Sequence, residues 1–339
     1  MRKNWLSNFL VPVALVAGVA LSASAAEPTV KVVVEGLDNP SGIAVQPGTG
    51  HVFVASHAGV HRVDPATGKL TAEIIGYPDP TDIYGKGPKY PVGPLGLAFL
   101  DKETLVVGDG SRADGVELVR IYKVGATAAA KPQKEDAAAQ TLGPIGPCEE
   151  SPKGEGNFYG VATNGKSIYI TCNGDDTKGW VAHSAVTNGK AGELKLSIAT
   201  KVATGVDAPG PAVFSPEGKL VVGQIGEVNV AGDSLLTVYG ADGKLETKIA
   251  CGLSDICGIA YHPKTGKLYA TDFSWVDATK GGLFVIDANA PKGTDTTTKL
   301  VPLDKPTGCA FDADGSLFIA VFGAADGKPT GKIVKVSGL

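Results

Sequence analysis

The side chains best suited to chemistry in this chain are oxygen donors set in turns. Glu155, Asn157 and Asp272 combine two carboxylates with an amide, a donor set for a hard divalent cation such as calcium. Each abuts a short apolar run, so a strand end would hold it. A wider set shares that placement. Asp38, Asn39, Asp207, Asp255 and Asp304 come just before one class of run, and His57, Asp109, Arg112, Asn173, Asp175, Asp176 and Gln224 come just after another. From these positions and the nearby aromatics, His57, Asp109, Arg112, Tyr159, Asp207 and Trp275 are the expected ligand contacts. Aromatic faces beside polar groups suit sugars or peptide side chains. The alternative for every Asp and Asn is an ordinary turn role, bonded to nearby backbone. For Tyr159 it is packing between strands.

Other chemistries find less support. Of the five histidines, His51 and His262 fall at hairpin turns, and His61 and His183 within apolar runs. Only His57 shares the placement above, so a transition-metal cluster is not expected. No Gly-x-Ser-x-Gly elbow occurs. The stretch Asp109 to Gly115 has the look of a calcium loop but lacks its ligand spacing and terminal Glu.

Cys148, Cys172, Cys251, Cys257 and Cys309 are the cysteines. In an exported protein they could oxidise. The spacing suggests Cys251–Cys257 and Cys148–Cys172 bridges, each between segments that emerge on one face. Cys309 reads as a buried free thiol. Five reduced thiols, or a Cys257–Cys309 bridge, remain the alternatives.

The elements that must position these groups recur. Gly-x-Ala followed by an apolar residue appears at Gly42/Ala44, Gly96/Ala98, Gly160/Ala162, Gly210/Ala212, Gly258/Ala260 and Gly308/Ala310. A repeat of roughly 50 residues built from short strands predicts one propeller blade per copy. The expected fold is an all-β, six-bladed β-propeller forming one domain over residues 27–339. Each copy opens an innermost strand, whose small residues let six strands crowd the axis. Second strands follow, such as Val52 to Ala55 and Leu317 to Ile319, then third strands, such as Leu235 to Tyr239. Loops entering first strands and leaving second strands therefore share one axial mouth, where the donors above collect.

Blade six lacks an outer strand, because only Ser337, Gly338 and Leu339 follow Ile333 to Val336. Val30 to Val34 is spare and is expected to close that blade as its outer strand. Asp136 to Leu142 is the expected outer strand of blade two. The period breaks at 76–93, which carries Tyr84 and Tyr90, and at 125–157.

Asn39-Pro40-Ser41-Gly42-Ile43-Ala44-Val45, and again Lys305-Pro306-Thr307-Gly308-Cys309-Ala310-Phe311, resembles NHL-repeat blades. It is also similar to the six-bladed senescence-marker, gluconolactonase and paraoxonase-like group. The resemblance covers nearly the whole chain after residue 26. In the lactonase-like branch it implies a divalent cation on the axis, often calcium, held by Glu, Asn and Asp from different blades. This chain departs from that pattern. Asn39-Pro40-Ser41 stands where Glu-Gly-Pro is expected, and Pro-Ser-Gly or Pro-Thr-Gly where Pro-Asn-Gly is expected.

Composition bounds the function. Arg2 and Lys3, the apolar stretch Phe9 to Ala20 and the small residues Ala23 to Ala26 form a cleavable export signal over residues 1–26. No other apolar run is long enough to span a membrane. Periplasmic or extracellular residence and a monomer are expected. A net charge of −4 argues against nucleic acid as partner. The leading expectation is a binding or interaction platform for a protein, peptide or carbohydrate at the mouth. The alternatives are a calcium-dependent lactonase or esterase and a structural cell-envelope protein.

Overall fold

The computed structural model describes residue 1 and residues 27–57, 59–78, 91–290, 296–323 and 328–339. The export signal, Tyr84 and Tyr90 lie outside them. Six antiparallel sheets stand around one axis. The innermost strands are Ile43–Val45, Pro94–Asp101, Val161–Thr163, Pro209–Phe214, Ile256–Tyr261 and Pro306–Phe311, one for each Gly-x-Ala copy.

Second strands read as largely apolar runs because both of their faces are covered. Val52–Ser56, Leu220–Gln224, Leu268–Asp272 and Leu317–Val321 are buried at every residue. Among the described residues the core is accordingly divided into one cluster at each of the six seams between neighbouring blades, with a seventh, smaller one of Phe273 and Phe322 at the mouth. Phe53 and Val60 of blade one meet Leu105 and Tyr122 of blade two. Val52 and Val54 meet Phe318, Ala320 and Ile333 of blade six, which completes the ring.

The repeated glycines mark where one inner strand touches the next. A Cβ on Gly42 would lie 2.1 Å from the Leu95 carbonyl oxygen, and one on Gly96 would lie 2.3 Å from that of Tyr159. Gly42 N–H donates to Leu95 O at 2.8 Å, and Gly308 N–H donates to Ser41 O at 3.0 Å across the seam from blade six to blade one. Hydroxyls reinforce these contacts. Thr171 donates to Gly210 O at 2.7 Å, and Thr307 donates to Pro40 O at 2.9 Å.

The outermost strand of blade six is Thr29–Leu37, antiparallel to Gly331–Ser337, with Val30 opposite Val336 and Leu37 opposite Gly331. Blade two's outer strand is shorter than expected, Gln140–Leu142. Glu135–Ala137 is instead a 3-10 turn, and Gln133–Lys134 adds a parallel fifth strand to blade one. Glu135 is drawn inward by Arg112 and Arg120, both of which also pair with Asp109. Its carbonyl accepts from Tyr122 Oη at 2.7 Å.

The expected disulfides are not formed, and all five cysteines are free. Cys251 belongs to the apolar cluster between blades four and five and donates to Ser234 O, whereas Cys257 packs at the mouth beside Phe273 and Phe322. Cys172 is likewise consumed by its own seam, packed with Ile170 and Trp180, while Cys148 is exposed. Cys309 is buried, as expected. No helix among the described residues is long and apolar enough to cross a membrane.

Candidate functional site

The axial mouth holds a cavity of about 150 Å³. Leu95, Ile225, Val228, Phe273, Trp275 and Phe322 give it an apolar wall, and Tyr159 and Cys257 also line it. The aromatic side is built locally. Ser274 adopts a left-handed backbone (φ 50°), which breaks strand alternation just past Leu268–Asp272. Phe273 and Trp275 then stack with ring centroids 5.4 Å apart and planes 21° from parallel. Phe322 meets Phe273 edge-on at 5.8 Å.

Asp272 holds this arrangement in place. Its Oδ1 accepts from the backbone N–H groups of Asp255 at 2.9 Å and Ser274 at 3.0 Å, and its Oδ2 accepts from Ser254 at 3.1 Å. One carboxylate thus ties the loop before an inner strand to the loop after a second strand. Trp275 N–H in turn donates to Asp255 Oδ2 at 2.7 Å.

Asp255 is the one carboxylate lining the cavity among the described residues. It is only 3% exposed, and its Oδ1 has no hydrogen-bond partner. Burial pushes its pKa up to about 6. The Trp275 N–H opposes the rise, and the charges of Asp272 and Asp233 add to it. A carboxyl in that range exchanges protons readily near neutrality.

Of the expected ligand contacts, Tyr159 and Trp275 line the cavity and the others do not. His57 pairs with Asp38 at 2.9 Å. Asp109 and Arg112 belong to the buried network that holds Glu135. Asp207 pairs with Lys201 and accepts from its neighbour Ala208 N at 2.8 Å.

None of the expected cation ligands lines the cavity. Glu155 accepts from Ser151 Oγ at 2.7 Å and from Gly174 N at 3.4 Å. Burial raises its pKa to about 7, against those hydrogen bonds. Asn157 is left-handed (φ 46°) and donates through Nδ2 towards Asp114 and the Asn173 carbonyl. No three His, Cys, Asp or Glu side chains among the described residues converge as a metal-holding group. The donors at the axis therefore do not fit a calcium ion: one carboxylate lines the mouth, and those of Glu155 and Asp272 are engaged by their own loops.

No protein-family model and no curated protein matches the chain. Solved structures do. The PQQ-bound aldose sugar dehydrogenase from Streptomyces coelicolor aligns over 92% of this chain and 99% of its own, at 16% identity and a TM-score of 0.59. A gluconolactonase from Xanthomonas campestris aligns over 95% and 94%, at 14% identity and a TM-score of 0.57. The fold is the one these enzymes use. An aldose sugar dehydrogenase from Escherichia coli matches at 13% identity over 92% and 100%, with a TM-score of 0.57. At such identities the likeness is one of architecture.

Asp255 stood among the mouth carboxylates readable in the sequence, but nothing in its spacing set it apart. Leu95, Ile225, Val228 and Phe322 gave no such signal. The usable clue was position: Ile225, Phe322 and Trp275 each fall within three residues of a second strand's end.

Proposed function

We propose that the axial mouth takes a small hydroxyl-bearing ring of the sugar or sugar-lactone type, and that Asp255 acts on it as an acid–base group. One observation carries this reading: the buried, partnerless Oδ1 of Asp255 beside the stacked rings of Phe273 and Trp275. A carboxylate oxygen without a donor is costly to bury, and a ligand hydroxyl or a water would satisfy it. The rings offer a face to the C–H side of a sugar ring. That similar folds serve a gluconolactonase and sugar dehydrogenases is consistent with a sugar-derived ligand.

Lactone hydrolysis is the reaction these groups suit. Asp255 takes a proton from water as the water oxygen bonds to the lactone carbonyl carbon. The ring C–O bond then breaks, and the carboxyl returns its proton to the leaving alkoxide, giving a hydroxy acid. Export through residues 1–26, to the periplasm or outside the cell, belongs to the same reading.

A second reading, a platform for a protein or peptide, is favoured by Val230 and Val276. Both lie in mouth loops and are 47% and 72% exposed. A pH-stat assay on an aldonolactone separates the two. Hydrolysis lost in Asp255→Asn and weakened in Trp275→Ala supports the enzyme. Equal rates in these variants and the parent, or none in any, would remove it.

A further inference from the structure

Lactone hydrolysis in the mouth develops a charge that Asp255 does not meet. As water adds to the carbonyl carbon, the carbonyl oxygen becomes an oxyanion, and a hydrogen-bond donor held at that oxygen lowers the barrier. Among the described residues no lysine or arginine lines the cavity, so the donor must be a neutral group. Several neutral donors there are already spent on backbone carbonyl oxygens. Asn39 Nδ2 donates to Pro91 O at 2.7 Å, Ser41 Oγ to Leu95 O at 3.2 Å, Tyr159 Oη to Cys257 O at 2.8 Å and Thr307 Oγ1 to Pro40 O at 2.9 Å. Asn173 differs. It is half-buried at the cavity wall, and its side-chain carboxamide has no hydrogen-bond partner among the described residues.

The backbone of Asn173 is fixed although its side chain is free. Asn173 follows the second strand of blade three, Ser167–Cys172. Its N–H donates to Gly156 O at 3.0 Å, and its carbonyl accepts from Asn157 Nδ2 at 3.4 Å. Gly174 N–H donates to the fully buried Glu155 at 3.4 Å, and Asp175 accepts from Lys153 N–H at 3.0 Å. The loop after a second strand is thus tied to the loop before an inner strand, as Asp272 ties the same two loops in blade five. An unspent carboxamide on a pinned backbone is a preorganised donor, because no existing bond has to break when charge develops. Tyr159 belongs to the same blade as Asn173, and its bond to Cys257 O reaches the blade that carries Asp255. Base and donor therefore stand on two blades that are linked at the cavity.

We propose that Asn173 is a second catalytic residue of the mouth, donating through Nδ2 to the carbonyl oxygen as it becomes negative. This rests on the reading of Asp255 as the acid–base group of a lactone hydrolase. Asp255 takes a proton from water, the water oxygen bonds to the carbonyl carbon, and the C=O electron pair moves onto the oxygen that Asn173 holds. When the C=O bond re-forms, the ring C–O bond breaks and the Asp255 carboxyl returns its proton to the leaving alkoxide. The donor also narrows the ligand. A hydroxylated lactone brings a carbonyl oxygen to Asn173, whereas a cyclic hemiacetal sugar has no carbonyl to offer it.

The test uses the whole chain and an aldonolactone in a pH-stat. Asn173→Ala should lower kcat about a hundredfold or more and leave KM within about threefold, because the donor acts on the transition state. The remaining rate should still rise with pH through about 6, which separates loss of a donor from disturbance of Asp255. Asn173→Asp should be slower still at neutral pH, since its carboxylate repels the oxyanion. Both variants should melt close to the parent, because the ties that fix this loop run through backbone atoms of Asn173 and through its neighbours. A parental kcat in Asn173→Ala would overturn the assignment and leave Asp255 as the base. A raised KM with kcat intact would make Asn173 a ground-state contact and overturn it equally. No hydrolysis by the parent would remove the reading of the mouth, and this donor with it.

Discussion

Tyr159 Oη donates a 2.8 Å hydrogen bond to the carbonyl oxygen of Cys257, two blades further round the ring. The same two residues line the mouth cavity and a second axial chamber of about 430 Å³, walled mainly by the inner strands. A single side chain thus bridges two blades where the two cavities meet. The contact lies between the mouth cavity and the chamber below it.

Removing that hydroxyl tests the bridge. Tyr159→Phe keeps the ring and loses the hydrogen bond, so it should cost about 1 kcal/mol in denaturant unfolding. Tyr159→Ala should join the two chambers and weaken binding of any mouth ligand at least tenfold in titration calorimetry. Unchanged affinity in the alanine variant would show that the bridge does not matter.

The repeat glycines make a sharper prediction about the fold. Gly96→Ala drives a methyl against the Tyr159 carbonyl and Val161. Neither side of that contact can rotate away, since one is backbone and the other is packed. Overpacking of this kind should cost about 3 kcal/mol. Gly48→Ala is the control. Gly48 has φ 86° in a hairpin turn with nothing within 4 Å of its Cβ position, so the cost should be about 1 kcal/mol, from backbone strain alone. Equal losses in urea unfolding would mean that the seam contact is not tight.

These glycines explain why the architecture was legible. Gly42, Gly96 and Gly308 recur because the next blade's backbone leaves no room for a side chain, a demand repeated at Gly160 and Gly258. The second strands were readable for a similar reason: two covered faces favour apolar residues through the strand, with buried polar residues such as Gln224 and Asp272 at its end. The site lacked any such repetition. Asp255 and Asp272 are both turn aspartates at strand ends, yet one is left with a bare oxygen and the other accepts three backbone N–H groups. That difference arises from the positive φ of Ser274 and the fold of two separate loops. Blade two's outer strand shows the same limit, since the turn at Glu135 is held by Arg112 from a loop and Arg120 from the strand Val119–Lys123.

Asp255 predicts a pH dependence with a definite sign. Its pKa is about 6 in the folded protein and about 4 in the unfolded chain. The folded state therefore binds the proton more tightly. The resulting stability is complete below pH about 4 and is lost as pH rises through about 6. Asp255→Asn, whose side-chain oxygen can still accept from Trp275 N–H, should flatten that slope. It should make the protein about 2 kcal/mol more stable at pH 7. Hydrolysis, which needs the charged carboxylate, should run the opposite way and rise with pH through about 6. Melting curves from pH 4 to 8 on the parent and the variant check the first claim. A parallel slope in the two proteins would assign the titration to another group.

The last prediction concerns the first strand. Thr29–Leu37 is largely exposed and contributes modestly to the core, apart from Leu37. Its removal would nevertheless strip the pairing from the whole length of Gly331–Ser337 and uncover Ile333, Val334 and Val336, all buried. A bare apolar edge is both less stable and a template for pairing between chains. Deleting residues 27–35 should thus lower the melting temperature by well over ten degrees and shift the protein to aggregates in size-exclusion chromatography. Replacing Val30 and Val32, both outward-facing, with threonine should do neither, because the backbone ladder survives. If the truncated chain melts like the parent and stays monomeric, the strand does not hold the last blade, and the ring must be secured by the seam between Gly308 and Ser41 alone.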